Sequence, residues 1–133
     1  MTQRPVVLEI PASSAYLTLV RSAASAVCAR LDYPVDQLDD FALACGEAAA
    51  LLLQDAVIGS TIRVCFEPET PGEDVAAGVF VTLTARTQSG RIPRDNTFSW
   101  TVLTSLVDQI RAAYTGGEVQ LYLTSHRALG GAA

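Results

Sequence analysis

The sequence predicts an α+β fold, a two-layer sandwich in which a mixed, mostly antiparallel β-sheet packs against three helices. Three observations carry that prediction. Runs such as Ile62-Arg63-Val64-Cys65-Phe66 alternate with a period of two, the mark of a strand with one buried face. Longer stretches repeat apolar residues at spacings of three and four, the mark of an amphipathic helix. The elements follow one another as strand, helix, helix, strand, strand, long loop, helix, strand, and one-faced strands need a helical layer to cover them.

Val6 to Ile10 reads as a short first strand, stopped by Pro11 and by Ser13-Ser14, which offer a helix N-cap. The first helix runs from about Ala15 to Leu31, with Leu17, Val20, Ala24, Val27, Cys28 and Leu31 as its buried stripe. Tyr33-Pro34 breaks the chain. A second helix starts near Asp36, where Asp36, Asp39 and Asp40 suit the helix dipole, and ends near Ala56 or Val57, before Gly59-Ser60. Ile62, Val64 and Phe66 mark one strand, and Val79, Val81 and Leu83 the next. Between them Glu67 to Asp74 holds two Pro, one Gly and four acids, the composition of an exposed hairpin loop. Arg86 to Thr97 is polar, without period and long for a compact domain, as functional loops often are. Trp100, Leu103, Val107, Ile110 and Tyr114 then predict a third helix. Gly116-Gly117 is a turn, Val119, Leu121 and Leu123 form a last strand, and Ala128 to Ala133 is a small-residue tail expected to fray.

Length and composition narrow the function. The 133 residues make a single domain, 1–133, long enough to bury a core. Half are apolar and 17% are charged, which excludes disorder. No apolar run approaches the ~20 residues that span a bilayer, and the N-terminus lacks the pattern of a signal peptide, so the expected place is the cytoplasm, away from membranes. All nine basic residues are Arg, the net charge is -5, and no basic cluster offers phosphate contacts, which argues against direct nucleic-acid binding. Cys28, Cys45 and Cys65 fit no metal spacing, and His126 is the only histidine. Buried, inert thiols are the favoured reading, and hydrolase chemistry has little support.

The second helix carries one anomaly. With a step of about 100° per residue, Leu38, Phe41, Ala42, Cys45, Ala49 and Leu52 share one face. Glu47 falls opposite, among Leu43, Ala44, Ala50 and Leu51, with Gln54 as its polar company. A helix apolar on both faces is expected to be covered on both. A carboxylate there is either a paired core charge, with an Arg such as Arg63, or the remains of a site.

The order of elements, with Glu47 on the second helix, resembles the GHKL ATPase fold, and more narrowly the RsbW-type anti-sigma factors, small serine kinases of bacterial stress and sporulation switches. The resemblance covers nearly the whole chain. It rests on Tyr16-Leu17-Thr18-Leu19-Val20-Arg21, on Asp39-Asp40-Phe41-Ala42-Leu43-Ala44-Cys45-Gly46-Glu47-Ala48, and most specifically on Phe98-Ser99-Trp100-Thr101-Val102-Leu103-Thr104-Ser105-Leu106-Val107-Asp108, which is similar to the actinobacterial branch that regulates sigma F (UsfX-like proteins). The resemblance implies a site for ATP and Mg²⁺. Glu47 matches the Glu of an E-x-x-x-N box, where i and i+4 share a helix face. Leu51 stands at the Asn position and cannot ligate a cation that wants oxygen. Of the D-x-G-x-G box only Gly90 remains, in Arg86-Thr87-Gln88-Ser89-Gly90. Thr97-Phe98-Ser99-Trp100 replaces the glycine-rich phosphate loop, so that Trp100 stands either beside the phosphate position or in the core. Gly116 and Gly117 survive at the last turn.

Besides a nucleotide-sensing domain without catalysis, two functions follow from the resemblance. One is an anti-sigma factor that binds a sigma factor, answers to an anti-anti-sigma factor and forms a homodimer, with degenerate nucleotide residues and with Tyr16 and Arg21 as partner contacts, residue types enriched at hot spots. The other is a serine/threonine-protein kinase that phosphorylates the anti-anti-sigma factor, with Glu47 as catalytic base and with Asp95 or Asn96 supplying oxygen in place of Leu51. Arg91 and Arg94 belong to the loop that is the phosphate lid in active relatives, although a solvated loop is the default for such residues.

Overall fold

The computed structural model describes residues 4–72 and 76–128. Five strands and three α-helices follow one another as β1 (Val6–Pro11), α1 (Leu17–Arg30), α2 (Val35–Leu53), β2 (Thr61–Glu69), β3 (Gly78–Arg86), α3 (Phe98–Leu106), β4 (Gln109–Thr115) and β5 (Glu118–His126). A short 3₁₀ turn, Ser14–Tyr16, leads into α1. The strands form one sheet in the order β1-β2-β3-β5-β4, and all four pairings are antiparallel. The α+β sandwich read from the sequence is therefore present, with an antiparallel sheet in place of a mixed one and with a fifth strand. The tail from residue 129 and residues 73–75 of the hairpin connection lie outside the described residues.

The extra strand comes from the predicted third helix. The helix ends at Leu106, and Gln109–Thr115 is a strand paired with β5. Ile110 and Tyr114 fit a helical spacing of four, but with Ala112 between them they also fit a strand period of two. Gly116 and Gly117 decide between the two. Both have positive φ, 60° and 86°, which makes a two-residue turn that matches strand twist and folds β4 onto β5. The helix stops where Val107 becomes extended and Asp108 accepts the backbone N–H of His126 at 2.7 Å.

The second helix is also shorter than predicted. It ends at Leu53, and Ala56 bridges to Thr87 while the Val57 N–H donates to the Arg86 carbonyl at 2.9 Å. These pairings draw the last predicted turn into the end of the sheet. The strand β2 runs further than predicted, through Pro68. Its pairing with β1 stops at Phe66, so the N–H that Pro68 lacks would have met no partner on that side.

The core lies between the sheet and the helices. Ile62, Val64 and Phe66 of β2, Val81 and Leu83 of β3, and Leu121 and Leu123 of β5 are fully buried. Val20, Ala24 and Cys28 of α1 and Phe41, Cys45 and Ala49 of α2 meet them from the other layer. Each buried large side chain contributes about 1.5–3 kcal/mol. The helix α2 touches α1, α3 and three strands, which accounts for its near-absence of charge after Asp40. Its second face is only partly covered. Leu43 is 41% exposed, and Glu47, Ala50 and Leu51 are half-buried. Among the described residues no helix is long and apolar enough to cross a membrane.

Candidate functional site

The end of α2, the end of β3 and the long loop enclose a cleft of about 270 Å³. Leu51, Leu52, Ala85 and Val119 give it an apolar floor. Asp55, Arg86, Thr87, Ser89, Arg91 and Arg94 bring polar groups to its rim, and Ile92, Pro93 and Thr97 complete the wall. Concave, mostly apolar sites with a few convergent polar groups are the usual form of a small-molecule site.

One carboxylate organises the rim. Asp55 follows the last turn of α2 and accepts hydrogen bonds from the hydroxyls of Thr87 and Ser89 and, at 3.4 Å, from the Ser89 N–H. The main chain runs parallel to this contact. The Gln88 N–H donates to the Asp55 carbonyl at 2.8 Å, and Gln88 Nε2 donates to the Ala56 carbonyl at 2.9 Å. The Ser89 hydroxyl oxygen then accepts the Arg91 N–H at 3.2 Å. The Ser89 and Thr87 hydroxyls, helped by the Ser89 N–H and the charge of Arg91, hold the Asp55 carboxyl below the usual carboxylate range against partial desolvation. The long loop is thus tied to α2 by the chain itself.

The residues named from sequence divide among several places. Leu51 lines the cleft. Glu47 lies one turn earlier on α2, half-buried and outside the cleft lining. It makes no ion pair among the described residues. Arg63 is not its partner: it alternates with the buried Ile62 and Val64, so it faces away from the helices, across from Glu9 and Thr84. Gly90 has φ of 72° and lies at the Tyr114 hydroxyl, 3.4 Å from where a Cβ would stand. Gly116 and Gly117 make the β4–β5 turn, and the Gly117 carbonyl accepts the Thr87 N–H at 3.1 Å, which brings that turn to the rim of the cleft. Trp100 packs half-buried against the core and does not line this cleft. Asp95 and Asn96, the oxygen donors expected to stand in for Leu51, line a different groove beside β4.

Tyr16 is 40% exposed in the 3₁₀ turn before α1. Arg21 is exposed on α1, but its stem lies against Gly46 of α2, where any Cβ would collide with it. Sequence reading missed this seat, and it missed Asp55, Thr87 and Ser89. Thr87 and Ser89 stand in the sequence only as part of the run before Gly90, with no role of their own, and a contact across more than 30 positions leaves no periodic trace. Among the described residues no three His, Cys, Asp or Glu side chains cluster as metal ligands.

No family model matches the chain. The anti-sigma-F factors RsbW of Mycobacterium tuberculosis strains CDC 1551 / Oshkosh and ATCC 25618 / H37Rv are each 27% identical to it over 113 residues, 85% of this chain and 64% of theirs. The chain therefore spans a little under two thirds of the length of these curated relatives. The crystal structure of the RsbU and RsbW domains of a Mycobacterium tuberculosis protein shares the fold with a TM-score of 0.69 at 16% identity, covering 94% of this chain and 33% of that one. The resemblance to RsbW-type anti-sigma factors, carried in the sequence by the helix of Glu47 and the run from Phe98 to Asp108, thus holds both in sequence identity and in fold.

Proposed function

We propose that this chain acts as an anti-sigma factor, sequestering an alternative sigma factor of the sigma F stress type through a protein surface, with nucleotide chemistry that has degenerated. The observation that carries the reading is the 27% identity with anti-sigma-F factor RsbW across 85% of the chain. The start of α1 supplies a surface for it: Tyr16 and Leu19 are 40% and 49% exposed, and the exposed Arg21 side chain lies against Gly46. Among the described residues the strand β1 pairs on one side only, and a free edge of this kind is a route to the homodimer. Control by an anti-anti-sigma factor belongs to the same reading.

The cleft supports the loss of Mg-ATP chemistry. Mg²⁺ wants near-octahedral oxygen ligands, and at the i+4 position from Glu47 the cleft presents Leu51. The nearest rim carboxylate, Asp55, is already accepting from two hydroxyls. The residues present do not fit the ion, and no phosphoryl-transfer step is assigned to them. The kinase alternative keeps one feature in its favour, the carboxylate of Glu47, which has no ion-pair partner among the described residues.

The test is titration of the purified protein with a sigma F-type factor, with and without millimolar Mg-ATP, for the wild type and for Tyr16→Ala and Arg21→Ala. The expected result is saturable binding that Mg-ATP leaves unchanged and that each substitution weakens by about tenfold, the size of a hot-spot contact of some 1.4 kcal/mol. Saturable heat from Mg-ATP alone, or phosphate transfer to an anti-anti-sigma factor that is lost in Glu47→Ala, returns the kinase to the front.

A further inference from the structure

The sheet ends at β4, whose outer side pairs with no strand among the described residues. Two grooves meet along that edge. One, of about 660 Å³, lies between the loop around Pro93 and Arg94 and residues 110–112 of β4. The other, of about 450 Å³, continues past Val107 towards Tyr122. Trp100, Ile110 and Arg111 line both, so the two form one trough along the strand.

The main chain along this trough is open. Thr115 and Glu118 flank the two-residue turn and form a hydrogen-bonded pair, so alternation makes Ala113↔Gln120 and Arg111↔Tyr122 bonded pairs as well. The N–H and C=O groups of Ile110, Ala112 and Tyr114 are left facing outward. Among the described residues none of these groups has a main-chain partner outside the β4–β5 ladder. The side chains divide by face. Ile110 and Ala112 lie on the side of Trp100 and Pro93, an apolar wall. Arg111 lies on the other face, its guanidinium 4.0 Å over the Tyr122 ring. Among the described residues the ion pair formed is His126–Asp108, so Arg111 and Arg94 keep their charge without a carboxylate. Arg94 and Arg111 share the lining of the two grooves with Asp95 and Asp108, and on the face opposite Trp100 the charged side chain of β4 is Arg111.

We propose that the free edge of β4 is a docking site for an extended segment of a partner protein with an apolar–acidic–apolar pattern, which joins the sheet as one further strand. Its main chain bonds to Ile110, Ala112 and Tyr114. Its apolar side chains enter the trough against Trp100, and the acidic side chain between them meets Arg111 on the opposite face. A second copy is the poorer occupant. Antiparallel β4–β4 pairing brings two Arg111 side chains to one face, and docking of β1 on β4 is head-to-tail, so that a pair of chains leaves one β1 and one β4 edge still free. The inference does not depend on the anti-sigma reading, because it rests on the edge alone.

Trp100 is the only tryptophan in the chain, and its fluorescence reports on the trough directly. The probe is the capped hexapeptide Thr-Val-Glu-Val-Thr-Ile. A saturable change in Trp100 emission at millimolar peptide or below is expected. Replacing the peptide Glu by Lys is expected to weaken binding by about fivefold, the size of one cross-strand charge pair. N-methylation of alternate peptide amides in either register is expected to abolish binding in one of the two registers, since it removes the edge bonds. Ala112→Pro is expected to abolish it with the circular dichroism spectrum unchanged, because proline is tolerated on a free edge. If that variant does not fold, the N-methylated peptides make the same test on the wild type. The proposal is overturned by an unchanged emission, by equal binding of the Glu and Lys peptides, by binding that survives both methylation patterns, or by sedimentation showing that the protein self-associates and that Ala112→Pro makes it monomeric.

Discussion

Asp55 decides how the cleft is held. Its carboxylate joins the end of α2 to Thr87 and Ser89, and the same hydrogen bonds keep it ionised below its ordinary value of 3.8. On acidification the unfolded chain therefore takes up the proton first. The stabilisation is present above the ordinary carboxyl pKa and is lost as pH falls through the lowered value of the folded state. Denaturant midpoints of the wild type and Asp55→Ala are expected to differ at neutral pH and to draw together only as pH falls below about 4. Curves that stay parallel down to acid pH would show that Asp55 is not the tie. Leu51 makes the complementary point. It lines the cleft at the place where the resemblance expects Asn, so the departure from that pattern is visible in the sequence and its place in the structure.

At the scale of elements, the β4–β5 hairpin is the part most dependent on two residues. Gly116 and Gly117 lie in the left-handed region, and a Cβ added at either would meet nothing within 4 Å, so backbone conformation alone demands glycine there. Gly117→Ala is expected to cost about 1–2 kcal/mol, the left-handed penalty of an L-residue. The loss concentrates in the hairpin, because its turn also supplies the carbonyl that holds Thr87. Hydrogen exchange is expected to quicken at β4 while the β2 and β3 amides stay protected. Uniform acceleration would mean that the hairpin unfolds only with the whole domain. The helix α3 is similarly slight, with Leu103 as its single fully buried residue and Thr97 as its cap.

At the scale of the molecule, burial governs the titration of the core. Desolvation pushes the Cys28 thiol from 9.0 to about 12 and the Tyr33 hydroxyl from 10.0 to about 12, and it raises Cys45 well above the ordinary thiol value. These groups stay protonated in the folded chain at pH values where the unfolded chain ionises. Their contribution to stability is whole below 9.0 and declines as pH rises towards about 12. Denaturant midpoints are expected to fall steadily from pH 9 upward. A thiol reagent at pH 8 is expected to leave Cys28 and Cys45 unmodified until the protein unfolds. A flat alkaline profile, or rapid labelling of either residue, would place water in this core.

The sequence by itself determined the layers. Periods of two and of about 3.6 report which face of an element is buried, and β1, α1, β2 and β3 stand close to where those periods put them. It also displayed Glu47 and, four residues on, Leu51 where the resemblance expects Asn, because a helix spacing of four is a local property. Only the tertiary structure decided the remainder. Residues 109–115 satisfy both helical and strand spacing, and pairing with β5 chose the strand. Arg63 and Glu47 are both charged residues amid apolar runs, but only the sheet shows that they face opposite sides of it. Asp55 meets Thr87 and Ser89 across more than 30 residues, and such contacts follow from how the layers pack rather than from any period along the chain.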